Sequence, residues 1–416
     1  MIIKNFKTIV NTQARKDALE IINAGIEAVL TKPAMYNQII LSNDILHIQK
    51  KSWDLSKYQR IFIVGAGKAA ADMAEALEHV LGKKVNTGIV IDTQKRKLKN
   101  IRVVEGTHPL PSQVNIKATQ EIIGLLNTTT KEDLVLCLIS GGGSALLEDP
   151  IIPLDKLIQI NKDLLHRGAT IQEINTIRKH LSRIKGGQLA QLAAPATLIT
   201  LVISDVITND LEVIASGPTV RDSTTVHDAH RIQKKYLLPS LPFIETPKIH
   251  LLHATNIILL SNIPAAEAMK KKAKILGYQA KILTTQMSGE ASTIGKELAQ
   301  KAKPKKAIIL VGESTVTVKG KGKGGRNQEL ALAASLHLKQ GVIASCSSDG
   351  VDFITAAAGG IVDQTTKELA QKNKIDIKKY LNNNDSFHAL KKFNSLIITG
   401  KTGTNVCDLV VVLGKK

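Results

Sequence analysis

Short apolar runs recur along the 416 residues, and each ends on small or polar residues that open a helical pattern. Arg60 to Val64 runs into Gly65, Leu134 to Ile139 into Ser140, Leu198 to Ile203 into Ser204-Asp205, and Ala307 to Val311 into Gly312. Runs of this length and apolarity fit strands buried on both faces of a parallel sheet. Alternation with helices fits an α/β fold, and the length favours two domains. The proline cluster Pro239, Pro242 and Pro247 marks the expected boundary, with domains over 1–240 and 241–416. Residues 13–31 and 171–192 read as long helices, the second ending past Gly186-Gly187.

The strand ends carry the chemistry. Gly65-Ala66-Gly67-Lys68-Ala69-Ala70 has the G-x-G-x-x-A spacing of a dinucleotide turn. Strand, glycine turn and helix present backbone amides to a phosphate, and Lys68 adds a cation. A tight turn with a surface lysine would spell the same letters. A Walker A loop is excluded here, because Phe62 stands where its first glycine belongs, and at Gly400-Lys401-Thr402, where Ser395 does. Ser140-Gly141-Gly142-Gly143-Ser144 suits a nest of amides with two hydroxyls around an oxyanion; a plain turn would rarely need three glycines. Arg178, Ser182 and Lys185 share one helix face at spacings of three and four, as ligands or as a solvated basic face. Asp205 follows a strand, where such sheets place metal or substrate ligands, and Ser216 lies in a second loop expected on that side.

The densest signal is Lys319-Gly320-Lys321-Gly322-Lys323-Gly324-Gly325-Arg326-Asn327-Gln328-Glu329, between the run Ala307 to Val311, read as a parallel strand, and a helix over Leu330 to Leu338. Glycine lets amides approach a ligand, lysine and arginine supply charge, and arginine can grip a phosphate or carboxylate with two hydrogen bonds. A flexible solvated loop is the plainer alternative, but the helix opening directly after the glycines favours an anion site.

Composition narrows the partners. A net charge of +20 admits nucleic acid, a membrane surface or small anions. Aromatics are only 3%, too few for many base-stacking platforms, and the lysines form no single stripe, so small phosphorylated ligands fit best. Cys137, Cys346 and Cys407 lie in or beside apolar runs without CxxC spacing, as reduced thiols of a cytoplasmic protein would. Met1 to Val10 lacks the apolar core of a signal peptide, and no run reaches the length of a membrane span.

Taken together, Gly65 to Ala70, Gly106 to Pro111, Ser140 to Ser144, Asn175 to Gly187, Ser204 to Thr219, Gly312 to Glu329, Asp349 to Gly360 and Thr399 to Asp408 resemble the type-2 glycerate kinases, the glycerate 2-kinase family with a C-terminal MOFRL domain. The resemblance covers nearly the whole chain. It implies two α/β domains, the larger N-terminal one Rossmann-like, with the active site in the interdomain cleft. It implies an ATP- and Mg²⁺-dependent kinase acting on D-glycerate, usually yielding 2-phosphoglycerate, and it puts the catalytic pair at Lys68 and Arg326. Phe353 departs from the family pattern, which has Gly at that place.

On that footing Lys68 and Arg326 are expected at the transferred phosphoryl group from opposite domains, with Asp205 as a third catalytic candidate. Gly65, Gly67, Ser140, Gly141, Gly142, Gly143, Ser144, Lys321, Gly324 and Gly325 would hold the nucleotide. Arg178, Ser216, Asn327 and Glu329 would hold glycerate. Asp205, Glu313 and Asp349 are the candidates for Mg²⁺ or for orienting the attacking hydroxyl. Two other classes make distinct demands. A nicotinamide-dependent hydroxypyruvate reductase needs an acid for the ribose, for which Asp92 is the candidate. A nucleic-acid-binding module needs steeply salt-dependent binding. No nucleic acid or membrane partner is expected, and a monomer and a homodimer are both compatible with the sequence.

Overall fold

The computed structural model describes residues 1–249, 251–353 and 355–416. They divide into two compact units, one of residues 31–260 and one of residues 1–30 with 261–416.

The 31–260 unit opens on an antiparallel meander, β1 (Ile39–Ser42), β2 (Ile45–Ile48) and β3 (Lys51–Asp54), which the sequence reading did not foresee. Its centre is a six-stranded sheet of β4 (Arg60–Ala66), β5 (Thr87–Asp92), β6 (Ile101–Glu105), β7 (Asp133–Ile139), β8 (Thr197–Ile203) and β9 (Ala254–Leu260), all parallel. The spatial order is β6-β5-β4-β7-β8-β9. Counted along the chain that is 3-2-1-4-5-6, the doubly wound order, and it reverses between β4 and β7. Phe62, Val64, Val135, Cys137, Leu198 and Val202 pack against Ala118, Ile122, Leu189 and Ala190 of the covering helices. Burial on both faces explains why these strands read as unbroken apolar runs.

The other unit holds β10 (Gln279–Glu290), β11 (Lys306–Thr315), β12 (Val342–Ser347), β13 (Gly359–Asp363), β14 (Leu396–Ile397) and β15 (Asp408–Leu413), in the order β10-β11-β15-β12-β13-β14. This sheet is mixed. β11 runs parallel to β10, as expected, but antiparallel to β15, and the remaining pairs are antiparallel.

The division differs from the expected boundary in two ways. It falls at 260/261, because β9 is hydrogen-bonded to β8 and so belongs to the first sheet. Residues 1–30 join the C-terminal part. There Arg15 of the helix Gln13–Glu27 is 1% exposed and grips Asp363 at the end of β13, Nε to Oδ2 at 2.8 Å and Nη2 to Oδ1 at 3.3 Å. The long helix expected over 171–192 is two helices, Ile171–His180 and Gln188–Ala193. The first ends at its cap Leu181, and Gly186 and Gly187, left-handed at φ 59° and 87°, lie in the link just before the second. All three cysteines are free and buried, and burial pushes the Cys137 thiol up to about 12. No helix among the described residues is long and apolar enough to cross a membrane.

Candidate active site

Ligands of doubly wound sheets sit outside the carboxyl ends of the strands, where the strand order reverses. The loops leaving β4 and β7 meet at that point. In the β4 turn the amides of Gly67, Lys68, Ala69 and Ala71 all have acceptors within the protein. They donate to Ile91 O (3.0 Å), Gly141 O (2.9 Å), Ser140 Oγ (3.0 Å) and Asp92 Oδ2 (2.9 Å). Its glycines answer to packing. A Cβ on Gly65 would lie 2.1 Å from Leu138 O, and one on Gly67 2.0 Å from Ser140 Oγ. The amides expected to face a phosphate are therefore spent inside the fold. Asp92, expected at a ribose, faces the start of the helix Ala70–Leu81 and also accepts from Gln94 N (3.1 Å).

The β7 loop is the reverse case. Gly143 N donates to Ser140 O (3.1 Å), but the amides of Gly141, Gly142 and Ser144 reach no acceptor among the described residues. Gly142 is left-handed (φ 85°), and a Cβ there would lie 3.2 Å from Lys68 Cγ. The Lys68 stem thus packs on the nest, and its ammonium has no partner among the described residues. Free amides beside a free cation make an anion site.

Polar side chains extend the site. Ser144 Oγ lies 3.0 Å from Ser216 Oγ, and Ser216 Oγ donates to Asn175 Oδ1 at 3.2 Å. Ala215, Ser216 and Gly217 are left-handed in succession (φ 51°, 61° and 60°). Strain of this kind is held by surrounding structure and clusters at functional sites. Here Gly186 N and Gly187 N donate to the carbonyls of Ser216 (3.0 Å) and Gly217 (2.7 Å). Arg178 is half-buried. Its Nε donates to Asn161 Oδ1 (2.7 Å), and its two terminal nitrogens have no acceptor among the described residues. Burial lowers its pKa against the pull of Glu148. Lys185 does not join Arg178 on an exposed face. It is fully buried, bonded to Leu147 O (2.7 Å) and paired with Glu148 (2.9 Å), and it anchors the segment after the nest. Asp205 lies half-buried, two residues beyond β8.

In the other unit the basic loop is ordered by the Asn383–Asp385 turn. Asn384 Oδ1 accepts from Lys319 N (2.7 Å) and Gly320 N (2.9 Å), Asn383 Oδ1 from Lys321 N (3.1 Å), and Asp385 Oδ1 from Lys323 N (2.9 Å). Here too the glycines admit neighbouring chain, since Cβ atoms on Gly324 and Gly325 would lie 2.2 Å from Ser386 Oγ and 2.3 Å from the Asp352 carboxyl carbon. Most of the loop's amides are thus bound internally, while the Lys321 side chain stays exposed.

The loop delivers Arg326 to the start of the helix Arg326–Ser335. Arg326 grips Asp408 with two bonds, Nε to Oδ2 at 2.6 Å and Nη2 to Oδ1 at 3.1 Å, and its Nη1 pairs with Glu313. Asp352 caps the helix, accepting from Asn327 N (3.3 Å) and Gln328 N (2.9 Å). Asn327, expected at glycerate, is buried. Its amide donates to Asp408 Oδ1 (2.9 Å) and accepts from Ser345 Oγ (2.6 Å). Glu329 is buried and accepts from Asn384 Nδ2 (3.2 Å). Burial presses Asp408 upward, to about 7, against the opposing pull of Arg326 and Asn327. Burial also works against charge on Arg326, yet Asp408 and Glu313 hold its pKa above the ordinary value. Asp349 accepts from Ser347 Oγ (2.8 Å) and Val351 N (2.9 Å), both on Oδ1, leaving Oδ2 without a donor among the described residues. Sequence reasoning missed Asp408 and Asp352 as the groups that hold Arg326 and its helix. The available signal was an acid opening the wholly apolar strand Leu409–Leu413. Among the described residues no three or more His, Cys, Asp or Glu side chains converge as a metal cage.

Unpartnered amides beside a lysine at the switch point of a doubly wound sheet are the features by which such folds take anionic ligands. Comparison with known proteins makes this specific. A family model described as a domain of unknown function (DUF4147) matches residues 17–243, and the MOFRL family model matches residues 306–408. The D-glycerate 2-kinase of Thermotoga maritima is 40% identical over 96% of this chain and 98% of its own. The glycerate 2-kinase of Pyrococcus horikoshii is 38% identical, over 96% and 97%. A crystal structure of glycerate kinase from Thermotoga maritima superposes with a TM-score of 0.86, over 96% of this chain and 99% of that one. The chain belongs to the glycerate 2-kinase family.

Proposed function

We propose that this protein is a glycerate kinase that transfers the γ-phosphoryl group of ATP to the 2-hydroxyl of D-glycerate. One observation carries the reading at the level of chemistry: the Lys68 ammonium and the amides of Gly141 and Gly142, without partners among the described residues, lie together where a doubly wound sheet binds anions. Phosphoryl transfer is mostly positioning and neutralisation of charge. Lys68 and the nest supply a place for a phosphoryl or carboxylate group. The terminal nitrogens of Arg178 supply fixed donors for a small hydroxy acid, and the Ser144 hydroxyl, whose proton goes to Ser216 while that of Ser216 goes to Asn175, supplies an acceptor for the acid's own hydroxyl. Arg326, held rigid by Asp408 and Glu313, is a second preorganised cation for developing phosphoryl charge. Mg²⁺, when bound, neutralises phosphate charge. It usually takes one or two carboxylates and completes its shell from phosphates and water, and Asp349 Oδ2 suits that role.

The reductase reading loses its two supports. The fingerprint amides are spent within the fold, and Asp92 is engaged at a helix start. The test is ADP release with D-glycerate by wild type, Lys68→Met and Arg326→Ala. Turnover should fall by on the order of 10²–10³-fold in each variant, as for loss of a transition-state donor. Near-wild-type turnover in either variant would remove that residue from the mechanism.

A further inference from the structure

Beside the nest lies an imidazole to which the reading above gives no task. His108 belongs to the loop between β6 and the helix Gln113–Leu126. Asn115, fully buried, clamps that loop. Its Oδ1 accepts from Thr107 N (2.8 Å), and its Nδ2 donates to the carbonyls of Thr107 (2.9 Å) and Ala145 (2.8 Å). Ala145 lies in the short helix that follows the nest, so one side chain sets the loop against the nest. A Cβ on Gly142 would lie 3.1 Å from His108 Cδ2 and 3.4 Å from Nε2, on the same glycine that carries the Lys68 stem. Neither ring nitrogen of His108 has a hydrogen-bond partner among the described residues, and the residue is open to solvent beyond the nest.

We propose that His108 is the general base of the phosphoryl transfer, taking the proton of the acceptor hydroxyl. The inference rests on the glycerate kinase reading. An acceptor whose anionic group sits on the amides of Gly141 and Gly142 lies within a few ångströms of the imidazole. As its oxygen forms a bond to the γ-phosphorus, the O–H proton passes to the unprotonated ring nitrogen of His108. The bond from the γ-phosphorus to the bridging oxygen breaks, and its electron pair leaves with ADP. The proton then passes to water from the exposed ring. Although the residue as a whole is exposed, partial desolvation of the ring where it lies against the nest first, and then the charge of Lys68, lower the imidazole to about 4, so it is neutral at pH 7 and can accept a proton. An anion held by Lys68 offsets part of that charge, which makes the ring a stronger base when the site is filled. Asn115 is the positioning residue for this arrangement.

The experiment measures kcat and KM with ATP and D-glycerate for the full-length wild type, His108→Ala and His108→Gln, with and without added imidazole. His108→Ala should lose roughly 10²-fold or more in kcat with KM for ATP changed less than about threefold, the pattern for loss of a general base. Added imidazole should restore part of the turnover of His108→Ala and none of that of His108→Gln, whose side chain fills the space. Unchanged kcat in both variants, or a loss that imidazole leaves untouched, overturns the base. A wild type that transfers no phosphoryl group to D-glycerate overturns the kinase reading and the base with it, whereas an active wild type with an unaffected His108→Ala overturns the base alone.

Discussion

Glycine in this chain does two jobs that look the same in sequence. At Gly141 and Gly142 it leaves amides without an acceptor among the described residues, beside the Lys68 stem. At Gly65, Gly67, Gly324 and Gly325 it admits other protein atoms to distances no Cβ tolerates. The fingerprint spacing cannot separate these cases, because what fills the space comes from a strand about seventy residues away, and the amides' fate depends on Ser140 and Asp92. Gly67→Ala should therefore act on stability. With a Cβ 2.0 Å from Ser140 Oγ and φ at 145°, it should cost at least ~1–3 kcal/mol in urea denaturation, the range for overpacking. An alanine variant as stable as wild type would contradict this packing role. Phe353 shows the opposite economy. It holds φ at 62° where the family pattern has Gly, and it is 73% exposed. Phe353→Gly should relieve on the order of 1 kcal/mol of left-handed strain, less the backbone entropy glycine loses on folding.

At the level of elements, apolar runs and helical periods were legible, and breaks imposed by distant contacts were not. The pattern over 171–192 continues past Gly186-Gly187 in sequence, but the helix ends at Leu181, and the link that follows is held where the carbonyls of Ser216 and Gly217 accept from Gly186 N and Gly187 N. The helix Ile171–His180, which carries Asn175 and Arg178, starts on a capping box. Thr170 Oγ1 accepts from Glu173 N (3.3 Å), and the Glu173 carboxylate accepts from Thr170 N (2.9 Å). Lys235 foremost, then the Thr170 and Tyr236 donors, hold the Glu173 carboxyl down at about 2. A depressed carboxylate stabilises the fold above its unfolded pKa and loses that contribution as pH falls through its folded pKa. Glu173→Gln should thus be less stable than wild type at pH 7, and the gap should close as pH falls from about 4.5 towards 2. Thermal melts across that range check it; a gap independent of pH would mean that the carboxylate's charge contributes nothing.

At the scale of the whole molecule, the α/β class and the run of strands were readable because burial on both faces writes itself as unbroken apolarity. Allegiance of segments was not. The amphipathic pattern of residues 13–27 shows that a helix packs, but not on which sheet. That is decided by Arg15, whose buried pairing with Asp363 no local pattern announces. Removing one partner of a buried pair typically costs about 3–5 kcal/mol, so Arg15→Ala should lower the denaturation midpoint by a corresponding amount, and a midpoint unchanged from wild type would contradict the pairing's role. The functional motifs were legible as types and less so as roles: Arg326 was visible, but Asp408, which fixes it, is placed by the strand pairing of β15 with β11 and β12, and Asp352, which caps its helix, by the loop after β12. The central claim, an acceptor hydroxyl phosphorylated at the site built on Lys68 and the Gly141–Gly143 nest, is tested most directly by phosphorus NMR of the purified protein with ATP, Mg²⁺ and D-glycerate. A new 2-phosphoglycerate resonance, growing as ADP appears and absent with Lys68→Met, is the result expected. No phosphorylated glycerate, together with oxidation of NADH by hydroxypyruvate, would contradict it.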